Sequence, residues 1–464
     1  MRYVGNKVED LKIAYIGGGS RQWARVLMRD LALTDDLSGE IRLYDIDYEA
    51  AKVNETAGNL VSTYEESLSV WKWAAYKTLE EALTGADFVF ISITPGTLDE
   101  MESDVHTPEK YGIYQSVGDT AGPGGIVRAL RAIPMVEKIA LAVKEYCPKA
   151  WVINYSNPMS IFTRTLYATW PEIKAFGCCH EVFAVQNLLA RALKECRGIE
   201  GVTRKEIKTE VTGVNHFTWF TKAVYRDIDL FEVWEEFLAK YEKEGVTDGK
   251  DDGWLNRYFE CAHLVKFDLY KRYGCIPAAG DRHLAEFCPL DWYLSSPERV
   301  GSFKFGLTPV SWRRNYLADG NATGLKVASG EEKLKLTHSG EEEIDQMRAL
   351  LGLCDLVTNV NLPNRGQIPN LPLGVCVETN ATFTTDKVTP VYTGPLPTKL
   401  YPLISRVVGI QETVVEAGME RDLEKGFVAF ANDPLVRLSP EDARKLYDEM
   451  IGNTKHYLTE YFNK

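Results

Sequence analysis

Short runs of apolar and β-branched residues alternate with helix-length amphipathic stretches through the first 180 residues of the chain. The runs Lys12 to Ile16, Ile41 to Tyr44, Trp71 to Tyr76, Phe88 to Ile93, Trp151 to Asn154 and Ile173 to Gly177 predict six strands. Strands joined by helices predict a parallel sheet of the Rossmann type. A long insertion, Thr94 to Gly125, separates the fourth and fifth, ends in Gly122-Pro123-Gly124-Gly125, and leads into a helix expected over Ile126 to Tyr146. Loops of that length are usually functional.

After about Gly201 the alternation gives way to two strands, Thr209 to Val214 and Phe217 to Val224, an acidic aromatic helix near Leu230 to Tyr241, and longer helices. The polar Asn315 to Gly340 stretch reads as a surface excursion. Strands Gly374 to Thr382 and Lys387 to Tyr392 and helices near Lys399 to Ala429 and Pro440 to Tyr461 complete the chain. The expected architecture is α/β: a Rossmann-type domain over residues 1–200, followed by an α+β domain over 201–464 that carries catalytic and oligomerisation surfaces.

Composition narrows the partners. The 464 residues are 45% hydrophobic and 26% charged, an ordinary globular balance, and the formal net charge of −13 opposes nucleic acids and anionic membranes. Met1 to Leu11 lacks the apolar core of a signal peptide, and no run approaches a membrane span, so a cytoplasmic protein is expected. Nine cysteines without regular spacing predict buried thiols rather than a disulfide framework.

The first strand ends in Gly17-Gly18-Gly19-Ser20, just before a helical stretch from Gln22 to Leu33. Glycines there let backbone approach a pyrophosphate at a helix N-terminus. Gly17 and Gly19 match the first two glycines of the dinucleotide pattern, whereas Gln22 takes the place of the third. Asp45, closing the second strand, suits the adenosine ribose and disfavours a 2′-phosphate. NAD is therefore the expected cofactor.

Four clusters concentrate chemistry: Asn154-Tyr155-Ser156-Asn157-Pro158, Cys178-Cys179-His180-Glu181, Val214-Asn215-His216 and Gly280-Asp281-Arg282-His283. The first two follow predicted strands at their carboxyl ends, the ligand-binding edge of open α/β sheets. Cys179 and His216 offer a thiolate and an imidazole to a divalent ion, too few ligands for a closed structural site.

These clusters, with Asn364-Arg365-Gly366 and Asn370-Leu371-Pro372, resemble the NAD-dependent glycoside hydrolases of family four over nearly the whole chain. That family departs from two-carboxylate glycoside hydrolysis. The resemblance implies hydride removal from the sugar C3 by NAD, deprotonation at C2, elimination of the leaving group, water addition and return of the hydride. It further implies Cys179 and His216 as ligands of Mn2+, Asn154 and Asn157 near the sugar, His180 as general acid and Asp281 as base. Asp119 is the alternative acid/base or a substrate partner.

The context around Cys179 and Asp281 looks most like family members that cleave α-galacturonides, such as short oligogalacturonides; glucoside, galactoside and glucuronide cleavage are the alternatives within the family. A uronate calls for a guanidinium, and Arg282 and Arg365 are the expected donors. A 2-hydroxy-acid dehydrogenase is the competing class on the same nucleotide turn, with a non-catalytic NAD-sensing module behind it. The resemblance also implies a homodimer or homotetramer.

Overall fold

The computed structural model describes residues 1–249 and 253–463. Its main sheet runs Trp71–Tyr76, Leu37–Tyr44, Lys7–Ile16, Phe88–Ile91, Trp151–Asn154, Lys174–Gly177, all parallel. This is the 3-2-1-4-5-6 order of a Rossmann sheet. Burial on both faces explains why these strands read as continuous apolar runs. Phe88 and Phe90 enter the hydrophobic cluster on one face with Leu27, Met28, Trp73 and Phe176. Their neighbours Val89 and Ile91 join the other, with Val136, Ile139 and Phe162.

The boundary expected at residue 200 is crossed by this sheet. Leu356–Pro363 pairs antiparallel beside Lys174–Gly177, and Cys376–Thr384 and Lys387–Pro390 continue outward from it. The second half of the chain thus returns to extend the first. Between the two passes lies a separate antiparallel sheet made of Lys208–Val214, Phe217–Tyr225, Ile228–Asp229 and Ile276–Pro277.

Two expected elements differ. The polar stretch after Asn315 is not an excursion but part of a helix, Val310–Ser329. Its glycines allow close crossing: a Cβ on Gly320 would lie 3.2 Å from that of Arg21, and one on Gly324 would lie 3.1 Å from the Arg25 guanidinium. The long helix begins at Gly122, so the Gly-Pro-Gly-Gly run is its first turn rather than a break before it. A Cβ on Gly124 would come within 2.6 Å of the Asp104 carbonyl oxygen, and one on Gly125 within 2.5 Å of the Thr120 carbonyl carbon. The helix can start here only because no side chain intervenes. Among the described residues, no helix is long and apolar enough to cross a membrane.

A buried ion pair fixes the insertion against that helix. Arg131, fully buried, makes two hydrogen bonds to Asp104, at 2.9 and 2.5 Å, on the helix Leu98–His106. Removing one partner strands the other charge away from water. Arg131→Met is expected to destabilise the fold by about 3–5 kcal/mol, read as a lowered urea midpoint with unchanged slope.

Candidate active site

The carboxyl edge of the Rossmann sheet assembles the nucleotide turn. Gly17 and Gly18 both donate to the Tyr44 carbonyl at 2.9 Å, and Gly19 donates to Asp45 Oδ2 at 2.8 Å. At φ +90°, Gly17 occupies a region favouring glycine, and a Cβ there would meet the Ser92 carbonyl oxygen at 2.0 Å. The other Asp45 oxygen accepts from the Asp47 N–H at 2.9 Å. A carboxylate has about four lone-pair sites, so Asp45 braces the turn and keeps acceptor capacity for ribose hydroxyls.

The helix Trp23–Ala32 starts at Gln22 without a capping side chain, and Ser20 Oγ accepts only the Trp23 N–H, at 3.1 Å. Open N–H groups at that end suit a pyrophosphate. The Gln22 side chain instead accepts a hydrogen bond from Tyr316 on the Val310–Ser329 helix. The substitution at the third glycine position thus joins the nucleotide turn to that helix.

A second centre lies where loops from both halves converge. Ligand atoms of Asp119, His216 and His283 all lie within 4.8 Å of one another. His216 occupies the hairpin turn after Lys208–Val214 at φ +63°, and its ring stacks on His283 with centroids 3.8 Å apart. Glu181, opening the helix Glu181–Arg197, accepts the Gly280 N–H at 2.6 Å and places Oε1 3.8 Å from His283 Nε2. The amide of Asn215 lies beside the buried Cys179 thiol.

One hydrogen-bond chain fixes a tautomer. Thr120 Oγ donates to Asp119 Oδ1 at 2.7 Å and lies 3.1 Å from His216 Nδ1. The single hydroxyl proton goes to the ionised acceptor, so His216 Nδ1 is the donor to Thr120. Its Nε2 lone pair is therefore free to bind a cation, the orienting arrangement common around metal-bound imidazoles.

Charges follow from burial and neighbours. Burial would raise the Asp119 carboxyl, but Arg128, His216, His283 and Arg313 together hold it well below the usual carboxylate range. The same burial is outweighed at Glu181, mainly by His283 and His216, which bring it down to about 2. His216 is pushed to about 3 by burial and the adjacent His283, so the imidazole is neutral near pH 7. The Cys179 thiol is raised far above its ordinary value by burial, Glu378 and Glu181, so taking up a metal releases a proton. Asp119, His216 and His283 supply two nitrogens and a carboxylate of the kinds that suit a divalent transition metal, while the Cys179 thiol lies outside that group of mutually close atoms.

Other expected site residues fall differently. His180 is half-exposed, 3.2 Å from Glu341, which raises its pKa and favours a protonated ring. Asn157 keeps a buried Oδ1 without a partner, as a ligand-facing amide would, whereas the Asn154 side chain folds back onto Ser156 N and O. Arg282 donates to the Ser116 carbonyl at 2.8 Å and to Thr308, and its guanidinium stacks on Phe259. Arg365 is exposed on its loop.

Asp281 does not join the centre. Its oxygens accept the Val265 and Lys266 N–H groups at 3.1 and 3.2 Å, at the start of the helix Leu264–Tyr273, and lie 3.6 Å from the fully buried Lys266 ammonium. It anchors a helix, and this geometry does not support the base role expected for it. Thr120 and His283 lie against His216, and the charges of Arg128 and Arg313 act on Asp119; sequence reasoning left all four unassigned. His283 lay in a quoted cluster; the other three had no local signal.

Glu286 holds the loop bearing Asp119: its Oε1 accepts the Val117 and Gly118 N–H groups at 2.7 and 2.9 Å. Burial lifts its pKa from 4.5 to about 7. A raised folded pKa contributes stability below the unfolded value that is lost as pH rises through the folded one. Glu286→Gln keeps one oxygen for both N–H groups. It is expected to flatten the fall in stability between pH 4.5 and 7 by on the order of 3 kcal/mol, measured by denaturant titration across that range.

Comparison with known proteins places the chain. The pattern described as "Family 4 glycosyl hydrolase" matches residues 12–195, and that of the family's C-terminal domain matches residues 211–436. An alpha-galacturonidase of Thermoanaerobacterium saccharolyticum is 57% identical over 99% of this chain and 98% of its own length. The crystal structure of a putative glucosidase from Bacillus subtilis, 49% identical, superimposes with a TM-score of 0.90 over 96% of this chain and 100% of its own. A 6-phospho-alpha-glucosidase from gut microorganisms, solved with NAD and Mn2+, is 20% identical and shares the fold with a TM-score of 0.77, covering 97% of this chain and 99% of its own.

Proposed function

The chain belongs to the family 4 glycosyl hydrolases, and from that premise we propose that it hydrolyses α-galacturonides using NAD and Mn2+. The observation that carries this reading is the gathering of Asp119, His216 and His283 from both halves of the chain in a protein whose sheet ends in a dinucleotide turn at the edge where Cys179 also follows a strand. Whole-length identity to an alpha-galacturonidase supports the choice of sugar. When bound, NAD supplies reversible hydride transfer at C3, and Mn2+ supplies Lewis acidity toward the oxygens on C2 and C3.

The chain's own residues do the rest. Gly17, Gly18, Gly19 and Ser20 present the turn to the pyrophosphate, with Asp45 toward the ribose. Cys179 and His216 hold the metal, His216 through the nitrogen that Thr120 leaves free. Asp119, ionised and within reach of the same centre, replaces Asp281 as the base for the C2 proton. His180, protonated through Glu341, donates to the leaving oxygen. Asn157 offers its free Oδ1 to a sugar hydroxyl.

Purified protein incubated with α-1,4-digalacturonate, NAD+, Mn2+ and a thiol reductant is expected to release galacturonate without net NADH. The matching neutral digalactoside should be cleaved far more slowly. Faster cleavage of the neutral sugar would overturn the choice of substrate, and steady NADH accumulation would point to the dehydrogenase reading.

A further inference from the structure

The chain is anionic overall, yet its reaction centre is ringed by guanidinium groups. Arg128 is buried, with Nε donating to the Asn157 carbonyl at 3.1 Å. Arg282 is held by Ser116, Thr308 and the Phe259 ring. The Nε groups of Arg282 and Arg313 are both shut off from water without a partner, but among the described residues only Arg313 of the three makes no hydrogen bond or ion pair through any of its nitrogens. A buried N–H without a partner is costly and calls for a partner such as water, an ion or a ligand group.

Its position is fixed by its neighbours. Arg314 is tied to Asp99 at 2.7 Å and to the Leu98 carbonyl at 3.2 Å. Trp312 packs edge-on against Phe259 at 4.7 Å and face-on against Tyr316 at 4.7 Å. Phe259 also carries the Arg282 guanidinium at 4.8 Å, so one aromatic layer spaces the two arginines. The Arg313 charge acts on Asp119, Arg128 and Arg282 alike. Three guanidiniums thus lie near enough for their charges to act on a centre that also holds the ionised Asp119 and Glu181.

We propose that Arg313 binds the carboxylate of the galacturonate ring whose C2 and C3 face Asp119 and His216, and so sets the preference for uronides. The inference rests on the α-galacturonidase reading and replaces Arg282 and Arg365 in the carboxylate-binding role. Arg282 has its Nη2 committed to Ser116 and Thr308, and its guanidinium packs on Phe259. Arg313 offers what a carboxylate needs, a planar fork with unused N–H groups.

The test uses the holoenzyme with NAD+ and Mn2+ and a substrate with a neutral leaving group, p-nitrophenyl α-galacturonide, beside the corresponding galactoside. Arg313→Gln is expected to raise KM for the galacturonide about 100-fold, to weaken free galacturonate but not galactose, and to recover in part with added guanidinium. Arg313→Lys keeps the charge without the fork and should fall between. An unchanged uronide-to-galactoside ratio in both variants overturns the proposal. So does a loss seen with digalacturonate alone, which would place Arg313 at the leaving sugar. If the wild-type enzyme cleaves no galacturonide, the underlying reading fails instead, and the Arg313 proposal with it.

Discussion

Replacing Cys179 with serine is expected to lower turnover of an α-galacturonide by about 1,000-fold, or about 4 kcal/mol of transition-state stabilisation, while leaving NAD binding intact. A serine hydroxyl does not ionise in working conditions, so the centre loses its one soft anionic donor. The folded chain should survive, because Cys179 is one of nine free thiols and cross-links nothing. Isothermal titration with Mn2+ and with NAD+ separates the two effects. Because the burial-raised thiol must give up its proton to bind metal, Mn2+ affinity in the wild-type protein should rise with pH, and that slope should shrink in the variant.

Asp119→Asn is expected to remove general-base catalysis and lower kcat by about 100- to 10,000-fold. The amide retains the size of the side chain and an oxygen to accept the Thr120 hydroxyl. Metal affinity should therefore fall less than turnover. A primary isotope effect on C2–H cleavage, measured with substrate deuterated at C2, should increase as that step becomes limiting. Asp281→Asn provides the contrast. Its loss should appear as weaker folding of the helix that begins at Leu264, not as a changed isotope effect.

Much of the Rossmann half was legible because doubly buried strands leave uninterrupted apolar runs, and the turn chemistry at Gly17 to Ser20 marks their edge. Where glycine has a packing role, the reading failed. Gly122 to Gly125 and Gly320 with Gly324 look like helix breakers in sequence, but each lets a helix approach a neighbouring backbone or side chain. The return of residues 356–390 to the first sheet had no local signal, since strand pairing across such separation is decided by tertiary packing.

Of the two proposed metal ligands, both singled out by their sequence clusters, His216 lies in the group of close donor atoms and Cys179 does not. Asp281 misled for a geometric reason. It and His283 lie two apart on one short helix, so their side chains point about 200° apart around its axis. One faces the His216 ring, and the other is turned into the helix start at Val265. Arg313 was invisible because its significance lies in lacking a partner, which only the folded arrangement reveals.

In the proposed reaction, one sheet edge couples transient oxidation at C3 to proton loss at C2. The most direct measurement is hydrolysis of an α-galacturonide in D2O with NAD+, Mn2+ and a thiol reductant, followed by NMR of the released sugar. Deuterium at C2, with no net NADH, is the predicted result. Galacturonate released at full rate with C2 unlabelled, and unaffected by metal chelation, would contradict it.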